Sequence, residues 1–273
     1  MIKKAASRIY LIFIFILLYA PIITLIVLSF NSSKSRAKWG GFTTKWYVSL
    51  FENRQIMQAL SNTLMIAFLS ALIATVIGTA ACIALNGMKR RWRTFWLGLA
   101  NIPMLNADIV TGISLMLIFI AAGQILSVFG TSITFGFWTV LIGHITFNIP
   151  YVILSVMPKL KQINISTYEA ALDLGANASV ALRKVVIPQL IPGIVSGFML
   201  SVTLSLDDYF ITTYTKPATF DTISTYVVNA TKGSHTEIKT ALWALSTLIF
   251  VIIVAGVLVW NLLSEKKGGA DNE

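Results

Sequence analysis

Charge is what this sequence is short of. Only 12% of its 273 residues are charged, while 56% are hydrophobic; a soluble domain carries about 25% charged residues. Water is therefore not the only solvent of this chain. There is one cysteine, Cys82, inside a hydrophobic run, which excludes an intrachain disulfide and leaves the redox compartment open. Two histidines and that cysteine make no convincing metal site. No glycine is followed directly by lysine, so there is no P-loop. Internal repeats and low-complexity segments are absent too. The formal net charge of +10 would suit nucleic acid or anionic lipid. Its distribution argues for membrane topology instead, because the basic residues cluster in loops and tails between apolar spans.

What the chain does have is long apolar runs. A bilayer core of about 30 Å needs roughly 20 apolar residues of helix. Six stretches qualify: Ile9–Phe30, Leu60–Leu85, Phe95–Ala122, Phe137–Met157, Ile191–Thr213 and Ala241–Leu263. The first follows Lys3, Lys4 and Arg8 as a signal peptide would. Its apolar run is too long for one and no small-x-small cleavage site follows, so it reads as a retained helix. The expected fold is an all-α polytopic membrane protein of about six transmembrane helices. Residues 1–59 form the first helix and an outer loop, 60–263 the main transmembrane domain, and 264–273 a polar tail.

Lysine and arginine in short loops set the orientation. The amino end, the loop with Lys89, Arg90, Arg91 and Arg93, and the loop with Lys159, Lys161, Arg183 and Lys184 all fall on one side, the cytoplasm. Lys34, Arg36, Lys38, Lys45 and Arg54 then lie outside, against the rule, outvoted by three consistent segments. Both termini face the cytoplasm. Ala67, Ala71, Ala74, Gly78 and Ala81 place small residues at helical spacing, which suits close helix packing in lipid.

The longest polar gap, about residues 158–190, holds Glu169-Ala170-Ala171, three residues, Gly175, nine residues, Val185, one residue, and Ile187-Pro188. This pattern predicts two short helices with a glycine turn between them. Ser166 and Glu169 have the spacing of a capping box. Ser179 is placed to cap the second helix, and Pro188 to stop it before the fifth span. Two readings stand on this loop alone: an amphipathic connector on the membrane surface, and a plug that docks into a groove of another protein.

The spacing resembles the coupling loop of binding-protein-dependent ABC importer permeases, with Val185 and Ile187 where that family usually has Ile and Leu. The resemblance implies a type I importer permease fold. It also implies that Tyr168, Glu169, Ala170, Ala171, Leu174, Gly175 and Pro188 belong to a knuckle, of which Tyr168 to Leu174 seats in a cleft of a separate ATPase subunit. ATP and magnesium would be bound by that subunit, and this chain would be no enzyme.

Asp108, Asp207 and Asp208 lie inside apolar runs, as does His144. A charge near the bilayer centre costs on the order of 2.5–3.5 kcal/mol, and such residues face a bundle interior or a wet cavity. Asp108 is fifteen residues beyond Arg93, and Asp207 fifteen beyond Pro192. Both should therefore lie about 22 Å along helices running the same way, at one level. That suits a way-station for a cation; the other reading is that each carboxylate caps a kink or pairs with a neighbouring helix. Adjacent helical residues point about 100° apart, so Asp207 and Asp208 cannot both aim at one pathway. His144 and Asn148 share a face and suit interhelical hydrogen bonds. Trp46, Tyr47 and Tyr209 offer cation–π faces near the outer mouth; interface anchoring is the other reading of Trp46.

Ala107-Asp108-Ile109-Val110, Leu204-Ser205-Leu206-Asp207-Asp208, Trp39 to Tyr47, Ser29 to Ser33 and His144 to Phe147 are similar to the second permease of spermidine/putrescine importers. Relatives usually have proline where this chain has Ala107. The resemblance implies a multi-pass subunit of the bacterial plasma (inner) membrane. Its implied partners are a sister permease, two ATPase subunits and an extracytoplasmic polyamine-binding protein. Its cargo would be a polyamine, with no nucleic acid involved. Rival readings are an ABC permease for another small solute, a proton- or sodium-coupled secondary transporter, and a non-transporting membrane scaffold.

Overall fold

The structure is a computed structural model that describes residues 2–33, 38–130, 132–232, 242–248, 250 and 251. The described residues are helical apart from short connections and one isolated antiparallel bridge, Asn31 with Phe42. Five of their helices are long and apolar enough to cross a membrane: Tyr10–Ser29, Arg54–Asn86, Asp108–Ser127, Phe137–Gln162 and Ala178–Asp207. Most of the sixth expected span and the tail at 264–273 lie outside the described residues. The chain divides into two compact units, Met1–Met57 with Val227–Glu273, and Gln58–Tyr226.

In the first unit, α1 (Ile2–Ser29) is apolar around its circumference from Tyr10 onward and mostly exposed over that stretch, as a helix facing lipid or other helices must be. The chain then folds back on itself. Ser32 N donates to Gly41 O at 2.9 Å and Thr43 N to Phe30 O at 2.8 Å. The Asn31 carboxamide stitches the turn, accepting from Gly40 N (2.8 Å) and donating to Lys38 O (2.9 Å). A Cβ on Gly40 would lie 2.9 Å from the backbone nitrogen of Ser33, so glycine lets the two arms of the fold-back approach this closely. Next comes α2 (Lys45–Glu52).

The second unit is a helix bundle around α6 (Phe137–Gln162), the most buried of its helices. α6 packs most extensively against α9 (Ile187–Asp207), and α3 (Arg54–Asn86) closes one core with them. Ala74, Cys82 and Leu85 of α3 meet Val152, Val156 and Leu160 of α6 and Leu190 of α9. The expected small-residue stripe packs here: Ala67, Ala71 and Ala74 are buried, and a Cβ on Gly78 would stand 2.8 Å from Val152.

Two of the expected spans are broken. The third is α4 (Arg90–Leu105) followed by α5 (Asp108–Ser127), with Asn106 (ψ 152°) and Ala107 (ψ 139°) extended between them. Asp108 thus opens a helix, where its charge suits the dipole, and does not sit mid-span. The break forms at Ala107 without a proline at that position. The fifth ends at Asp207; Asp208 is extended (ψ 130°), and α10 (Phe210–Thr215) follows.

The cytoplasm-assigned loop also departs from expectation. In α7 (Ile165–Asp173) the capping side chain is Asn164, whose Oδ1 accepts from Ser166 N (3.1 Å) and Ser166 Oγ (2.6 Å). Ser166 is thus a donor to the cap. Asn177, not Ser179, caps α8 (Ala178–Ala181), accepting from Val180 N at 2.9 Å. Pro188 stops nothing. From α8 the chain passes through a π-turn at Leu182–Val186 directly into α9, where Pro188 occupies the first turn. The wider turn accommodates a residue without an N–H. Gln189 Nε2 donates to Val185 O at 2.9 Å. After α10 come α11 (Ile223–Lys232) and a helical stretch over 242–248.

Candidate functional site

The knuckle is a compact helical hairpin. Gly175 has φ +87°, the left-handed conformation that favours glycine. Its N–H donates to Leu172 O at 2.9 Å, and the Ala176 N–H reaches Ala171 O at 3.0 Å. Those two bonds are a Schellman ending, which satisfies carbonyls that a helix terminus would strand. The turn pushes Leu174 outward, 89% exposed. Glu169 and Ala170 share that outward exposure, while Tyr168 and Ala171 are half-buried. Behind α7 lies a groove of about 490 Å³ lined by Ile83, Leu160, Ile163, Tyr168, Leu182 and Val186. Tyr168 therefore faces the bundle, and the outer face carries Glu169, Ala170 and Leu174. Pro188 lies in the helix beyond.

The two helix breaks meet α10. A Cβ on Gly112, one turn after Asp108, would stand 3.0 Å from Phe210 O and 2.9 Å from the Tyr214 ring. Asp108 therefore opens its helix one turn from the start of α10, and Asp207 and Asp208 lie just before that start. Asp108 and Asp207 are exposed, and Tyr209 is half-buried with its ring edge-on to Phe210 at 5.2 Å. Asp208 is used internally: Oδ1 accepts from Ile211 N (3.1 Å), and Oδ2 from Thr212 N (2.8 Å) and Thr212 Oγ1 (2.8 Å). Its Oδ2 also lies 3.4 Å from His144 Nε2. A carboxylate holding two amides of a first turn does the work of a cap.

His144 and Asn148 make the interhelical bonds their spacing predicts. His144 Nε2 lies 3.0 Å from Thr212 Oγ1 of α10. Asn148 Nδ2 donates to Ser205 Oγ of α9 (2.8 Å) and Ser70 Oγ of α3 (3.3 Å), which are themselves 3.2 Å apart. Buried polar groups in lipid must be satisfied this way.

Trp46 and Tyr47 belong to the other unit and are engaged there. Trp46 is 5% exposed, its indole N–H donates to Asn31 O at 2.7 Å, and Lys45 Nζ sits 4.5 Å from its ring centroid. Tyr47 OH pairs with Ser29 Oγ at 2.8 Å, and its ring lies against Phe30. Both side chains brace the loop after α1, and the cation over the indole is the protein's own. Sequence reading missed Thr212, which joins Asp208 to His144. Thr212, four residues after Asp208, was legible as part of a capped first turn had the span not read as unbroken.

Residues 74–267 match the family model of the binding-protein-dependent transport system inner membrane component. The chain belongs to that family. It is 36% identical to the spermidine/putrescine transport system permease protein PotC of Shigella flexneri, over 94% of each chain. It is 32% identical to the putrescine transport system permease protein PotI of Escherichia coli strain K12, over 93% of this chain and 89% of that one. In fold it is similar to a chain of a bacterial ABC transporter that imports the acidic polysaccharide alginate (TM-score 0.75, 22% identity, 97% and 95% coverage). A second solved structure, an alginate ABC transporter in complex with its alginate-bound periplasmic protein, gives a TM-score of 0.74 at 20% identity, with 93% and 91% coverage. The fold is that of type I importer permeases, and the chain is a multi-pass component of a bacterial inner-membrane transport system.

Proposed function

We propose that this chain is the membrane-spanning permease subunit of an ATP-driven importer that moves polyamines inward by alternating access. The observation that carries the reading is the placement of Asp108 and Asp207. Both are exposed carboxylates at helix breaks, gathered beside one short helix. Irregular backbone at membrane depth is tolerated only where it is covered by protein or lines water. Two acidic groups at such a place suit an extended polycation, which they hold by charge-assisted hydrogen bonds, with Tyr209 as an aromatic neighbour. Relatives named for spermidine and putrescine transport, similar over nearly the whole chain, support the same cargo.

The energy comes from partners. Two ATPase subunits bind ATP and magnesium, a sister permease completes the pathway, and an extracytoplasmic polyamine-binding protein delivers the cargo. The knuckle, with Leu174 and Glu169 outward, seats in the cytoplasmic cleft of one ATPase. Closure of the ATPase pair is carried into the bundle as rigid-body motion, because α8, the π-turn and α9 are one continuous lever. The pathway binds loosely and affinity rests with the binding protein, since a tight site would trap its cargo.

The test is uptake of labelled spermidine by the assembled complex with Asp108→Asn. Losing one charge-assisted contact should lower uptake about tenfold at limiting cargo. Unchanged uptake would remove Asp108 from the pathway.

A further inference from the structure

The adjacent aspartates at the second break are not equivalent. Asp207 is exposed, and no hydrogen bond or ion pair reaches its carboxylate among the described residues. Asp208 is turned into the protein, its side chain 5% exposed, with both oxygens engaged by the first turn of α10. Those bonds all come from the turn that follows Asp208 in its own chain, so by themselves they do not tie the carboxylate to the rest of the bundle.

His144 of α6 supplies that tie: its Nε2 lies 3.4 Å from Asp208 Oδ2 and 3.0 Å from Thr212 Oγ1. A threonine hydroxyl has one hydrogen, and Thr212 Oγ1 donates it to Asp208 Oδ2 at 2.8 Å. At its 3.0 Å contact with His144 Nε2 the same oxygen must accept, so Nε2 carries the hydrogen. The line runs His144 Nε2–H to Thr212 Oγ–H to Asp208 Oδ2. Its origin is fixed: His144 is fully buried on α6, beside Gly143, where a Cβ would stand 3.1 Å from Ile211 Cγ2. Nδ1 has no partner among the described residues, which a bare lone pair tolerates better than a stranded N–H. The imidazole is thus committed to one task.

We infer that His144 is a positioning residue. Through Thr212 it holds the Asp208 carboxylate over the first turn of α10, and this leaves Asp207 as the one member of the pair presented to cargo. The second clause rests on the polycation reading above; the first does not.

The experiment therefore has two arms, both in membranes carrying the full complex. In the first, Ile211→Cys is made in a Cys82→Ala background and probed with a charged methanethiosulfonate reagent. Ile211 is fully buried in the turn that Asp208 caps. Cys modification should be slow with His144 present and about tenfold faster with His144→Leu, the loss of one hydrogen bond to a charged network. It should be slow again with His144→Gln, whose amide N–H reaches about as far as Nε2. In the second arm, Asp207→Asn and His144→Leu should each raise the KM for spermidine about tenfold. The double variant should be worse than the poorer single by no more than about twofold, the mark of residues acting through one site. Protection that persists with His144→Leu, a glutamine variant as defective as leucine, or KM effects that multiply would overturn the inference. A wild-type complex that moves no polyamine would refute the functional reading alone, because the thiol arm still decides the role of His144.

Discussion

Replacing Gly175 should damage coupling through backbone geometry and not through bulk. Its φ of +87° lies where an L-residue is strained, at about 1–2 kcal/mol. A Cβ built there meets nothing within 4 Å, so within this chain the whole penalty is conformational. One to two kcal/mol shifts the population of the closed hairpin about five- to thirtyfold, and opening it breaks the Gly175–Leu172 and Ala176–Ala171 bonds that fix Leu174 outward. Gly175→Ala and Gly175→Val should therefore lower spermidine moved per ATP hydrolysed, with valine worse because β-branched residues resist positive φ. Gly175→Asn should keep most of the coupling, since asparagine visits that region readily. The assay is parallel measurement of ATP hydrolysis and labelled uptake in proteoliposomes. Alanine and valine variants with wild-type coupling would refute the reasoning. An asparagine variant as defective as alanine would move the cause from this turn to the crowding of the cleft it enters.

Gly112→Ala should force α5 from α10, because its Cβ would stand 3.0 Å from Phe210 O. A cost of about 1–3 kcal/mol should show as a Tm several degrees lower in detergent, while Gly98→Ala, inside α4 with nothing within 4 Å, should hold Tm or raise it slightly, since alanine favours a helix interior over glycine. Asn164→Ala should cost α7 about 1 kcal/mol by removing its cap, seen as faster hydrogen exchange at the amides of Ser166 and Thr167. Unchanged exchange would mean that Ser166 caps the helix after all.

Hydropathy carried the fold class and five of the spans because burial in lipid is a property of composition averaged over about 20 residues. The same averaging hid the breaks. Asn106-Ala107 interrupts a run that stays apolar on both sides, and Ala107 has no residue-type signal for its extended ψ of 139°. Asp208 did carry a signal, being a capping residue just ahead of a short helix, but it sat inside a run that read as one span. Pro188 misled for the opposite reason: a proline ends a helix only where its missing N–H cannot be absorbed, and the π-turn absorbs it. Gly175 was legible because a positive φ leaves few residue types to choose from. The engagement of Trp46 was not, because its partner Asn31 lies fifteen residues away and is brought close only by the fold-back of the loop after α1.

The most direct measurement is uptake of labelled spermidine into proteoliposomes holding this chain with its sister permease and ATPase subunits, loaded binding protein outside and nucleotide inside. Uptake should require ATP and cease with a non-hydrolysable analogue. Accumulation by this chain without any nucleotide-hydrolysing partner would contradict the account.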